Sequence, residues 1–157
     1  MRPVSHVWKA DPEEAVIVAG LLSQFRDWMD RESPSDESLR SGVERLIAGP
    51  DAEYLLGATD AGGPPAGVCQ LRFRYGVWHE APDCWLEDLF VNEHARGSGL
   101  GRSLVTTAAE RARERGCARV ELDVSESNPA AMALYLDLGF STGKDSGSRD
   151  LLMRRFL

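Results

Sequence analysis

One short run, Arg96-Gly97-Ser98-Gly99-Leu100-Gly101-Arg102-Ser103, constrains this chain more than any other. It lies between an apolar strand pattern at 84–91 and a helical stretch at 99–115 that Gly116 stops. Closely spaced glycines let a chain curl so that several backbone N–H groups face one spot. The first turn of the following helix adds N–H groups without intrahelical acceptors and the positive end of the helix dipole. Strand, glycine turn and helix in that order describe a phosphate or diphosphate site, with Arg96 and Arg102 placed for charge-assisted bonds. A P-loop is excluded, because the residue five after Gly97 is Arg102 and no Gly-Lys-Ser/Thr follows. The dinucleotide fingerprint fails at the same place, where it needs a third glycine, and it must also follow the first strand of a βαβ unit. A lone Gly-x-Gly reads as a simple connecting turn. Here the glycines, the flanking arginines and the strand–helix context coincide, which favours the anion site.

The rest of the chain alternates between the two periods. Residues 4–9 are a first strand candidate. Asp11-Pro12-Glu13-Glu14 reads as a helix start, and Ile17, Leu21, Phe25 and Trp28 give that helix an apolar face until Ser33-Pro34-Ser35 breaks it. A second helix over 36–48 carries Leu39, Val43, Leu46 and Ile47 and stops at Gly49-Pro50. Strands are expected at 54–59, 67–75, 84–91 and 119–124, followed by a helix from Asn128-Pro129 through Leu138 that Gly139 ends. Residues 140–148 and 150–156 read as a closing pair of strands. The order β-α-α-β-β-β-α-β-α-β-β predicts an α/β (α+β) chain, one domain over 1–157, with helices on both faces of a mixed sheet.

Composition narrows the function. At 157 residues the chain is long enough for one sizeable core. Its net charge of −7 argues against nucleic acid as a partner. The arginines at 111, 113, 115 and 119 are interrupted by Glu110 and Glu114 and read as the solvated face of a helix. No apolar run approaches the roughly 18 residues of a membrane span, and nothing behind Met1 resembles a secretory signal. Three widely spaced cysteines, Cys69, Cys84 and Cys117, argue against a disulfide framework or a metal site and suit a reducing cytoplasm.

Arg96-x-x-Gly99-x-Gly101 resembles the (Gln/Arg)-x-x-Gly-x-(Gly/Ala) signature of the GNAT acetyltransferases, and the strand Trp85-Leu86-Glu87-Asp88-Leu89-Phe90-Val91 ends at that family's usual spacing before it. Asn128-Pro129-Ala130-Ala131-Met132-Ala133-Leu134-Tyr135-Leu136-Asp137-Leu138-Gly139-Phe140 resembles the second signature, an Asn followed by a helix bearing Tyr and ending in Gly-Phe. The resemblance implies a mixed, mostly antiparallel sheet of six to seven strands with about four helices. It implies an enzyme that moves an acetyl group from acetyl-CoA to an amine by direct attack in a ternary complex, without a metal. It assigns the cofactor diphosphate to the backbone of Arg96, Gly97, Ser98, Gly99, Leu100 and Gly101, with Arg102 and Ser103 in the same turn. The backbone of Leu89, Phe90 and Val91, at a splayed strand end, takes the acetyl carbonyl and the pantetheine arm. Asn128 bonds that arm through its side chain, and Tyr135 protonates the leaving thiolate. Taken alone, Leu89 and Val91 are ordinary strand apolars, Asn128 is a good helix N-cap, and Tyr135 is equally a core tyrosine.

An alkyl ammonium with a pKa of about 10.4 must lose a proton before it attacks. Glu87 is the candidate base or ammonium anchor, directly or through a water, because a carboxylate between apolar strand residues is unusual at a solvated position. The alternative is an edge or surface acid. Strand alternation groups Glu87 with Trp85, Leu89 and Val91 and turns Asp88 the other way. Cys84 has no evident histidine partner and reads as structural. His79 and His94 read as loop residues, with His79 a possible lining of the acceptor site. Tyr75-Gly76-Val77-Trp78 and the following Leu-Glu-Asp are similar to the diamine (spermidine/spermine) and thialysine acetyltransferases. Acids at Glu80, Asp83, Glu87 and Asp88 would suit a small cationic amine such as a polyamine or an amino-acid-like acceptor. Protein lysines or N-termini, aminoglycosides, and a sensor that binds acetyl-CoA without turnover are the competing readings. The sequence does not give the oligomeric state; dimers are common among similar enzymes, which leaves a homodimer open. Residues 26–39 carry no recognisable signature.

Overall fold

The computed structural model describes residues 4–157. Its contacts divide the chain into a first unit ending at Leu122 and a second, Asp123–Leu157. The first unit carries β1 (His6–Lys9), α1 (Ala15–Trp28), α2 (Asp36–Ile47), β2 (Ala52–Ala58), β3 (Gly67–Gly76), β4 (Ala81–Val91), α3 (Leu100–Glu114) and β5 (Val120–Glu121). The second carries α4 (Pro129–Asp137). The strands form one sheet in sequence order, antiparallel from β1 to β4, with β5 parallel to β4.

Local chemistry explains the helix ends. Asp11 and Glu14 form a capping box at a 3-10 turn, Pro12–Glu14, that leads into α1. Ser35 caps α2 by accepting from the Ser38 N–H. Register then fixes the two faces of the sheet. Trp8 pairs with Leu56, Leu56 with Val68, and Val68 with Phe90, so these share one face. They meet Val18, Leu21 and Leu22 of α1 and Val43 of α2 in one buried cluster. Each such aliphatic side chain contributes roughly 1.5–3 kcal/mol by leaving water.

The opposite face receives α3. Gly57 and Gly67 lie under it: a Cβ on Gly57 would sit 2.7 Å from Leu100 Cδ1, and one on Gly67 would sit 2.9 Å from Leu104 Cδ1. Glycine here permits close approach of helix and sheet. Gly67→Val is therefore expected to destabilise the fold by about 1–3 kcal/mol through overpacking. Gly42→Ala, where a Cβ meets nothing within 4 Å, should stabilise by about 0.5–1 kcal/mol. Urea unfolding of both variants checks the pair of signs.

The sheet has five strands among the described residues, not six to seven, and neither 140–148 nor 150–156 forms a strand. Residues 144–148 make a turn closed by Lys144 N–H to Ser148 O and Gly147 N–H to Lys144 O. Leu151, Met153 and Phe156 are exposed. A strand needs a partner's backbone, and alternation in sequence does not supply one. The strand expected at 119–124 shortens to Val120–Glu121 for the same reason. Three of the four arginines read as a solvated helix face are engaged. Arg111 and Arg115 both bond the Glu53 carboxylate, which is 2% exposed, and Arg119 bonds Asp83. Their long stems carry the charge from a helix flank to a buried acid.

Candidate active site

The end of β4 is irregular in a way that matters chemically. Val68 pairs with Phe90 but Gln70 pairs with Glu87, so β4 spends one residue more than β3 over this stretch. Asp88 absorbs the bulge with φ of 54°. A bulge flips the alternation beyond it. Glu87 therefore shares the α1–α2 face with Gln70, Trp85 and Phe90, while Val91 lies opposite Gly67 on the α3 face. The grouping of Glu87 with Leu89 and Val91 from simple alternation is corrected by this extra residue. Glu87 and Leu89 are half-buried and Asp88 is exposed. Phe90 is 6% exposed and stacks on Phe25 of α1 at 5.2 Å between ring centroids, so only its backbone can meet a ligand. β5 pairs with β4 only at Cys84 and Trp85. From Leu86 to Val91 that edge of β4 has no strand partner among the described residues.

Beyond Val91 the chain turns through Glu93–Ala95, where Asn92 caps the turn and His94 is exposed, and reaches the glycine run. Gly97 and Gly99 have φ of 75° and 89°, which side chains with a Cβ rarely adopt. Part of the loop's N–H set is spent internally: Arg96 to Glu93 O, Ser98 to Ala95 O, Leu100 to Ser98 Oγ, and Ser103 to Gly99 O. Among the described residues no acceptor meets the N–H of Gly97, Gly99 or Gly101. These three at the start of α3 are the donors that an anion could take. Leu100 is 1% exposed and serves as an anchor of α3 in the core. The Arg96 side chain donates from Nε to Val91 O at 3.0 Å and lies over the Trp28 and Phe90 rings, so it braces the end of β4. Arg102 is exposed at the first turn of α3.

Asn128 and Tyr135 belong to the second unit. Asn128 caps α4, its Oδ1 accepting from Ala131 N–H at 3.2 Å, so a ligand bond would fall to its NH₂ group. Tyr135 is 9% exposed and packs edge-on against Phe140, with ring centroids 5.8 Å apart. Cys84 is fully buried, and burial pushes its thiol pKa up to about 12. It is a protonated thiol at neutral pH and no nucleophile. Among the described residues no group of His, Cys, Asp and Glu could hold a metal.

Asp83, expected in a loop, lies in β4 at 5% exposure, bonded by Arg119 and 3.4 Å from His79 Nε2. Arg119 forms an ion pair with the Asp83 charge, and His79 lies beside it in the β3–β4 hairpin. Three residues had no visible sequence role. Gln70 and Tyr54, both buried, pair with one another, and Gln70 pairs with Glu87 on its other side. Their one signal is a polar side chain on the face that packs α1. Arg26 organises the α1–α2 connection, donating to Pro34 O, Asp36 Oδ1, Ser23 Oγ and Asp27 Oδ1. Those partners are local in space yet scattered in sequence.

The family model described as Acetyltransferase (GNAT) family matches residues 22–140. Thialysine N-epsilon-acetyltransferase of Bos taurus is 32% identical over 126 residues, spanning 75% of this chain and 71% of that protein. A crystal structure of an acetyltransferase from Arthrobacter sp. FB24 matches with a TM-score of 0.87 at 31% identity, covering 97% of this chain and 96% of that one. The structure of AAC(6')-Iy with the bisubstrate analog CoA-S-monomethyl-acetylneamine shares the fold, with a TM-score of 0.78 at 17% identity over 98% of this chain and 99% of that one. No helix among the described residues is long and apolar enough to cross a membrane. On the family match and the relatives together, the chain belongs to the GNAT family and is an N-acetyltransferase.

Proposed function

We propose that this enzyme transfers the acetyl group of acetyl-CoA to the primary amine of a small cationic molecule, a polyamine or an amino-acid-like amine. The observation that carries this is the end of β4: a half-buried carboxylate at a bulge, followed by a glycine turn with three N–H groups that lack acceptors. Family membership adds the cofactor, and the thialysine relative supports a small amine. Asp88 and Glu87 give the acceptor side a negative field.

Bound acetyl-CoA supplies the thioester, and the residues do the rest. The N–H groups of Gly97, Gly99 and Gly101 hold the diphosphate. Glu87 accepts a proton from the ammonium, directly or through a water, and the neutral nitrogen attacks the acetyl carbon. Backbone N–H at Leu89 meets the oxygen that becomes negative. As the C–S bond breaks, Tyr135, in the role its signature gives it, returns a proton to the thiolate.

Release of free thiol from acetyl-CoA is the test, with a panel of diamines, polyamines, lysine analogues, aminoglycosides and a lysine peptide. Turnover confined to diamines, polyamines or lysine analogues supports the proposal. Turnover confined to the peptide or to aminoglycosides moves the substrate class, and binding without turnover on any amine indicates a sensor. Tyr135→Phe should lower kcat about tenfold and no more, because a thiol with a pKa of about 8.5 leaves as the thiolate with little help.

A further inference from the structure

Gln70 occupies the middle of a cross-strand row. On one side its partner is Tyr54 of β2, and on the other it is Glu87 of β4, so all three side chains stand on the α1–α2 face of the sheet. Gln70 is 3% exposed, and its Nε2 meets no acceptor among the described residues. An amide buried without a partner for its donor is unfavourable, and an apolar side chain of equal length would fill the same space without that penalty. A glutamine at this position therefore serves something other than packing.

What the amide lacks is an acceptor. Directly opposed residues hold their Cβ atoms about 4.5–5.5 Å apart, so Gln70 and Glu87 are cross-strand neighbours on one face of the sheet. Their heads do not bond each other. One water spans such a gap, and a buried water typically bridges polar groups that protein partners leave unmet. Tyr54 closes the other side of the row. Burial, and then the charge of Asp88, hold its pKa far above the usual tyrosine range, so its hydroxyl stays neutral and competes for no cation.

We propose that Gln70 is a positioning residue that fixes the water through which Glu87 takes the proton of the incoming ammonium. The inference rests on the reading of Glu87 as the base. The water oxygen accepts one bond from Gln70 Nε2 and a second from the ammonium N–H, and one of its own hydrogens points at the Glu87 carboxylate. The ammonium proton passes to the water as the water's hydrogen passes to Glu87, leaving a neutral amine, an unchanged water and a protonated carboxyl. Without Gln70 the water keeps two of these three contacts and loses its orientation.

Gln70→Met keeps the length and removes the donor; Gln70→Leu stands in if the first variant folds poorly. The expected result is a kcat lowered about ten- to hundredfold, with KM for acetyl-CoA and for the amine within twofold of the parent, and a Tm equal to or above the parent's. Packing as the reason for Gln70 predicts the reverse, a lower Tm with kcat per folded molecule unchanged, and that result overturns the inference. An unchanged kcat at unchanged Tm overturns it as well. If the parent enzyme turns over no amine, the reading of the site falls and takes this inference with it. If the parent turns over and Glu87→Gln does not, while Gln70→Met matches the parent, only the inference about Gln70 is lost.

Discussion

Glu87→Gln is expected to lower kcat by about 10²–10⁴-fold near neutral pH, the range that a positioned general base contributes. The substitution keeps the shape and one acceptor oxygen of a half-buried side chain that still pairs with Gln70 just before the bulge, so the loss reports proton acceptance rather than folding. The substrate's own chemistry gives the sharper check. A free alkylamine with a pKa of about 10.4 is neutral in only a small fraction at pH 7, and that fraction rises about tenfold per pH unit until the pKa is reached. An enzyme without its base depends on that fraction, so the gap between parent and variant should narrow steadily from pH 7 to pH 10. KM for acetyl-CoA should not move. Rates of thiol release across that range measure all of this. If the variant lost affinity for the amine while keeping the parent's kcat, Glu87 would be an ammonium anchor and no base.

The sequence reading succeeded where the determinants are local. The glycine run is fixed by two left-handed residues and a helix start, all within a few positions, and it is found where the pattern put it. The boundaries of α2, α3 and α4 follow their caps and glycines to within about two residues. It failed where a residue's partner is distant in sequence. Asp88 carries no mark that distinguishes a bulge from a continuing strand beyond the tolerance of Asp for positive φ, so the face of Glu87 could not be read. The polar Gln70 stood among alternating residues with no hint that Tyr54 and Glu87 would flank it. Residues 140–148 and 150–156 read as strands in sequence, but among the described residues no strand pairs with them. The arginines of α3 looked solvated because Glu53, their partner, is more than fifty residues away.

That distant pairing carries the second large effect. Glu53 is 2% exposed on the α3 face of β2 and receives Arg111 Nε at 3.0 Å, Arg111 Nη2 at 2.7 Å and Arg115 Nη1 at 3.1 Å, with Lys9 Nζ 3.7 Å away. Arg115 also lies 3.9 Å over the Phe73 ring, and Arg111 bonds Glu114. Removing one partner of a buried pair leaves a charge in a low-dielectric site, typically at about 3–5 kcal/mol. Arg111→Ala keeps Arg115 and Lys9 near Glu53, so the expected loss is at the lower end, about 3 kcal/mol, or roughly 6–12 °C in Tm for a chain of this size. The effect has a definite pH signature. Burial pushes the Glu53 carboxyl up, but the bonds from Arg111 and Arg115 outweigh it and hold the folded value below the ordinary one. A depressed carboxylate contributes its stability in full above its unfolded pKa of about 4.3 and loses it as pH falls through the folded value. The parent should therefore weaken below about pH 4, and the deficit of Arg111→Ala should shrink over the same interval as Glu53 is protonated. Glu53→Gln in the Arg111→Ala background removes the stranded charge and should recover part of the loss at pH 7. Urea midpoints for the parent, both single variants and the double variant at pH 7 and pH 3.5 complete the cycle. A deficit equal at both pH values would mean that Arg111 supports α3 by the packing of its stem, and that the charge on Glu53 is held by Arg115 and Lys9.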